Sequence, residues 1–178
     1  MTGLSRFGFG LAALTVAALA TPAVAQSDGP RHLVPGSVMI YPVFDARDGF
    51  DTVITVTNTN TSRRRCSDSA SLEGDVTLLY VYFGIEEEGD CREFNRFEDL
   101  TPGDTVTVIA EQHNPEGVVG WLYVEAEDPV TGDPIDFDYL VGSAIVVDKG
   151  TDISFGYTPY SFRGLPEGDQ DGEASCGR

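Results

Sequence analysis

Chemistry in this chain would have to come from few residue types. His113, in Glu111-Gln112-His113-Asn114-Pro115, and His32 are its two histidines. A nucleophilic mechanism needs an imidazole oriented by a carboxylate and set against a serine or cysteine. No Gly-x-Ser-x-Gly elbow and no His-Glu-x-x-His helix motif occurs. The turn-like setting of His113 points to a solvated ring. Carboxylates are plentiful: Asp133, Asp136 and Asp138 follow one another along one segment, and Glu125, Glu127 and Asp128 along another. Two carboxylates across a cleft run glycoside hydrolysis, and a cluster of oxygen ligands takes Ca2+. With 29 acidic residues in the chain, neighbours of this kind arise by chance. The pattern therefore assigns no catalytic, cofactor-binding or metal residue. Glu167, Asp169, Asp171 and Gly172 match half of an EF-hand loop, but Arg178 stands where the bidentate glutamate belongs. Trp121, Tyr123 and Tyr82 are candidate stacking aromatics for a sugar ring; their strand positions favour core packing instead.

The front of the chain sets the compartment in which such groups would work. Residues 1–25 carry one charge, Arg6, ahead of an apolar run from Phe7 to Ala20, and close on Ala23-Val24-Ala25. That is the pattern of a secretory signal, and the run falls short of the roughly 20 residues a membrane-spanning helix needs. No later run approaches that length. An exported chain meets an oxidising compartment, so its three cysteines are expected to form a disulfide. Cys66 and Cys91 are expected to pair, closing a loop whose cross-link is worth about 3.5 kcal/mol in the chain-entropy model. Cys176 is then the odd thiol. A zinc site is disfavoured by the lack of any Cys-x-x-Cys pair and of a histidine near a cysteine. The bridge would bring Arg63-Arg64-Arg65 close to Glu86-Glu87-Glu88, so that the arginines face the chain's own acids. Each exposed ion pair there adds about 0–1 kcal/mol. The competing reading is a basic spot for an anionic glycan or phosphate.

Net charge is −18, from 11 basic and 29 acidic residues. A field of that sign repels nucleic acid and anionic membrane surfaces. The remaining length, about 150 residues, suits one domain with a sizeable core.

The elements that would position any site are strands. Alternating, β-branched segments recur between Gly, Pro, Asn and Asp: 37–44, 51–58, 75–84, 91–100, 104–112, 118–127, 135–140, 143–148 and 152–157. Pro42 implies an edge position or a break in the first. The third, DVTLLYVYFG, is apolar on both faces and reads as a central, buried strand. In the sixth, Leu122, Val124 and Ala126 alternate with Trp121, Tyr123 and Glu125. In the seventh, Ile135, Phe137 and Tyr139 are expected inward, Asp136 and Asp138 outward. Eight or nine strands with turns roughly every ten residues predict an all-β, antiparallel, immunoglobulin-like sandwich over 26–162. Residues 163–178 read as a disordered acidic tail.

At TVITVTNTNTS the chain resembles secreted bacterial immunoglobulin-like domains. Three segments, PGSVMIYPVFDARDGFDTVITVTNTN, CREFNRFEDLTPGDTVTVIAEQHNP and GWLYVEAEDPVTGDPIDFDYLVG, look like a group of exported bacterial proteins without an assigned activity. The likeness spans about residues 35–165. It implies a β-sandwich at the cell exterior, in chains that continue past the equivalent of residue 178, and implies no reaction. The expectation from the sequence is a secreted, periplasmic or cell-surface module that is not an enzyme, needs no cofactor, and binds an extracellular protein or glycan. The alternatives are a carbohydrate-binding module or glycan hydrolase, and a protein that assembles through Ca2+.

Overall fold

The computed structural model describes residues 34–62, 74–85, 89–114 and 118–164. Within them the chain is all-β. Nine strands form two antiparallel sheets, and the single helix is one turn. In chain order the elements are β1 Val38–Asp45, β2 Phe50–Asn58, β3 Val76–Ile85, β4 Cys91–Leu100, β5 Thr105–Ile109, α1 Ala110–His113, β6 Val119–Glu127, β7 Leu140–Asp148, β8 Ile153–Tyr157 and β9 Tyr160–Phe162. One sheet has the order β4-β3-β6-β1-β9, the other β5-β2-β7-β8. The signal segment 1–25, His32, Arg63–Cys66, Glu86–Glu88 and Cys176 lie outside the described residues.

The core lies between the sheets and is built by period-two alternation. β3 contributes Leu78, Tyr80 and Tyr82, β6 Leu122, Val124 and Ala126, β1 Met39, Tyr41 and Phe44, and β2 Ile54 and Val56. Two tyrosines tie the layers together. The Tyr41 hydroxyl donates to the Thr55 carbonyl (3.1 Å), and the Tyr157 hydroxyl donates to that of Val43. Gly142 is needed for the first contact, because a Cβ there would sit 2.1 Å from the Tyr41 oxygen.

Of the two outcomes Pro42 implied, the structure shows the break: β1 lies between β6 and β9, and Pro42 falls in a register shift between Tyr41 and Phe44. A bulge at the proline removes the need for its missing N–H in the ladder. Three other local outcomes differ from the sequence expectation. The strand predicted over 104–112 stops at Ile109 and turns into α1. Residues 135–140 are not a strand. Pro134 makes an isolated bridge to Glu127, Phe137 is buried, Tyr139 is exposed, and β7 begins only at Leu140. β9, Tyr160–Phe162, pairs with β1 and was not expected. At three residues it is too short to register a period.

Several polar residues that looked available for chemistry instead hold loops. Asn58 is fully buried. Its Nδ2 donates to the carbonyls of Gly74 (2.8 Å) and Thr101 (3.2 Å), and its Oδ1 accepts from Asn60 N (2.9 Å). The Asn-Thr-Asn turn thus joins the end of β2 to the start of β3 and to the β4–β5 turn. Asp138 accepts from the Ser37 hydroxyl (3.1 Å) and from Gly164 N (3.2 Å). Arg163 and Gly164 are therefore held against the sheet end.

Candidate binding face

The site expected from each residue can now be placed. His113 is not a solvated turn residue. Its side chain is 10% exposed, and Nδ1 lies 2.7 Å from the Tyr82 hydroxyl. Its ring meets Tyr80 edge-on at 4.9 Å, and Nε2 lies 3.4 Å from Glu98 Oε1. α1 delivers it there: the single turn follows β5 and drops the ring over the open end of the core beside β4. Arg96 Nε donates to the His113 carbonyl (3.1 Å), closing the edge. Burial lowers the His113 pKa, with Arg96 in the same direction and Glu98 opposing. Burial raises the phenol pKa of both Tyr80 and Tyr82. The ring is a plug between sheets, with no serine or cysteine among its described partners.

The carboxylates separate into structural ones and surface ones. Asp128 Oδ1 accepts from Val130 N (2.7 Å) and Thr131 N (3.1 Å), which fixes the turn after β6. Asp136 packs against Gly164, and Asp138 makes the bonds above. Among the described residues no three His, Cys, Asp or Glu side chains converge to hold a metal ion. Cys91 is exposed and unbridged among the described residues.

What remains is a face. Residues directly opposite across an antiparallel ladder point the same way. The five-stranded sheet therefore turns one set of side chains to the core and another set outward. The centre of the outward set is apolar. Phe97 on β4 stands opposite Leu79 on β3. Val81 stands opposite Tyr123 on β6, and Phe83 opposite Trp121. Phe97 is 59% exposed, Ile85 53% and Trp121 41%. Tyr82, by contrast, is fully buried and belongs to the core. The dual apolarity that marked β3 as buried on both faces is real in the residues, yet no described element covers its outer face.

The rings on this face stack on one another. Phe83 and Trp121 have centroids 4.5 Å apart and lie 18° from parallel, and Tyr123 is tilted 30° from Phe83 at 6.1 Å. Phe83 and Trp121 thereby cover one face of each other. Phe83 was missed as a candidate because its neighbours Tyr82 and Gly84 drew the segment into the core. Its position two residues along from Val81, opposite Trp121, is the signal that would have found it.

Charge on the face has one sign. Glu93 stands opposite Phe83, Glu125 opposite Leu79, and Asp99 opposite Thr77. Arg92 and Arg96 fall on the alternate positions of β4, toward the other side. Burial holds the Glu125 carboxyl above the usual carboxylate range. The Tyr123 phenol is raised by burial first and then by the charges of Glu125, Glu93 and Glu127. In comparisons with known proteins, no family model, no curated protein and no solved structure matches this chain.

Proposed function

We propose that the protein is an exported, non-enzymatic binding module with an immunoglobulin-like sandwich fold. It acts outside the cell or in the envelope through the outer face of β4-β3-β6-β1-β9. The observation that carries this reading is the row Phe97, Phe83, Trp121 and Tyr123 with Ile85 on a sheet surface that no described element covers. Monomers rarely expose contiguous apolar area beyond a few hundred Å2 unless it serves an interaction. Export is supported by the signal pattern in residues 1–25, and the immunoglobulin-like assignment by two antiparallel sheets around one core.

A glycan ligand is the second reading, favoured by exposed Trp121 and half-buried Tyr123. Sugar rings stack on open aromatic faces, whereas here Phe83 and Trp121 each spend one face on the other. The arrangement therefore suits a polypeptide better. Site-specific photo-crosslinking in the native envelope tests this, with the crosslinker at Phe97, at Ile85, or at Thr55 in the other sheet. The expected result is one shared protein adduct from the first two positions and none from Thr55. Adducts to glycan, or equal labelling from all three positions, would overturn the assignment.

A further inference from the structure

The face that binds also specifies the charge of what it binds. Resting on the reading above, we infer that its partner is a basic polypeptide segment carrying apolar side chains. The charged side chains that β4 and β6 place on the outer face are carboxylates: Glu93, Asp99, Glu125 and, largely buried, Glu127. They surround a strip of exposed rings, and the basic residues of β4 sit on the opposite side of the strand. Aromatic side chains favour cations electrostatically, tryptophan most. Carboxylates beside them add charge complementarity, which selects partners more than it strengthens them. Glu125 remains in an apolar, half-buried setting although an uncharged residue would pack there at lower cost.

The same charges argue against the other occupants. Two copies docked face to face about a twofold axis would bring Glu93 and Glu125 of one toward those of the other. Like charges desolvated across an interface cost several kcal/mol. An anionic lipid surface or a nucleic acid meets the same carboxylates and a net charge of −18.

The chain has one tryptophan, Trp121, and it lies on the face, so its fluorescence reports occupancy there without a label. The probes are an eight-residue peptide alternating Lys and Val, the matching Glu–Val peptide, and a Lys–Ser peptide with charge but no apolar side chains. The Lys–Val peptide is expected to blue-shift Trp121 emission saturably, and the other two to leave it unchanged. The double variant Glu93→Gln/Glu125→Gln should weaken Lys–Val binding about tenfold. Asp48→Asn/Asp152→Asn, equal in charge but placed in turns away from the face, should leave it nearly unaltered. Equal binding of the Glu–Val peptide, or equal weakening by both double variants, would overturn the inference. So would a dimer in sedimentation that Phe97→Asp dissolves. A neutral or acidic protein crosslinked at Phe97 and Ile85 would keep the binding face and discard only the basic partner.

Discussion

The two sheets share one core but turn different surfaces to solvent: the four-stranded sheet exposes Ile145, Ile153 and Phe155 on β7 and β8, and its β2–β5 side is lined with threonine. On the four-stranded sheet, Thr55 faces Thr107 and Thr57 faces Thr105, with hydroxyls 3.3 and 2.8 Å apart. This is the expected solvent side of an antiparallel sheet, with β-branched residues that hold the strand and polar tips that meet water. On the five-stranded sheet the outward positions of β3 are Leu79, Val81 and Phe83, of which Val81 is buried, with Trp121 and Tyr123 beside them. Both surfaces satisfy the ladder equally well, so folding does not explain the second composition. On the proposed reading, the contrast separates residues kept for the core from residues kept for contact.

The sharpest way to break this separation lies within one strand. Leu122 and Trp121 are neighbours on β6, the first fully buried and the second outward. Leu122→Ala should cost about 3 kcal/mol in urea unfolding, since it removes transferred apolar surface and leaves a cavity. Trp121→Ala should cost less than about 1 kcal/mol, the scale of cross-strand pairs on an exposed face. Comparable losses would mean that the ring stack is a second core rather than a contact surface.

A smaller effect tests where the core ends. His113 closes the sandwich edge over Tyr80 and Tyr82. Its pKa in the fold lies below the ordinary value of 6.5, mainly through burial. Below 6.5 the unfolded chain takes up a proton that the folded chain resists, so stability is fully present above 6.5 and falls as pH drops toward the folded value. The free energy of urea unfolding should decline between pH 7.5 and pH 6, by less than about 1 kcal/mol because Glu98 partly supports the charged ring. His113→Gln should flatten that decline. An unchanged slope would mean that the ring is hydrated, as its turn position in the sequence had suggested.

The fold was legible where periodicity and strand length agreed. Leu122, Val124 and Ala126 alternate with Trp121, Tyr123 and Glu125, and the structure follows that alternation along β6. Phe94 and Phe97, three residues apart, fall out of strand phase because each serves a different face of β4. Residues 135–140 misled because Ile135 and Phe137 alternate like a strand while packing on the core from a loop. The candidate face was only half legible. DVTLLYVYFG announced two apolar sides, but the sequence carries no record of which neighbours cover a strand. The natural inference was burial on both. His113 was read wrongly for a related reason: α1 is a single turn, too short to leave a helical period, yet it alone carries the ring inside.

The smallest expected effect has the opposite sign, and it distinguishes a surface kept for contact from one kept for stability. Glu125 stands opposite Leu79 and Val38 on the apolar face, and burial holds its carboxyl above the ordinary 4.5. A carboxylate with a raised folded pKa is stabilising only when protonated, below its unfolded value. That contribution is lost as pH rises through the folded value. At pH 7, then, the charged Glu125 weighs against the fold. Glu125→Gln should raise the free energy of urea unfolding at pH 7 by a few tenths of a kcal/mol, since solvent screens a half-exposed group. The gain should disappear below about pH 4, where the native side chain is itself neutral. The threonine side offers the control: Thr57→Val removes a hydroxyl pair without relieving any charge and should show no such pH dependence. If Glu125→Gln is instead destabilising at pH 7, the carboxylate is held by the fold, and the contrast between the two surfaces loses its functional meaning at that position.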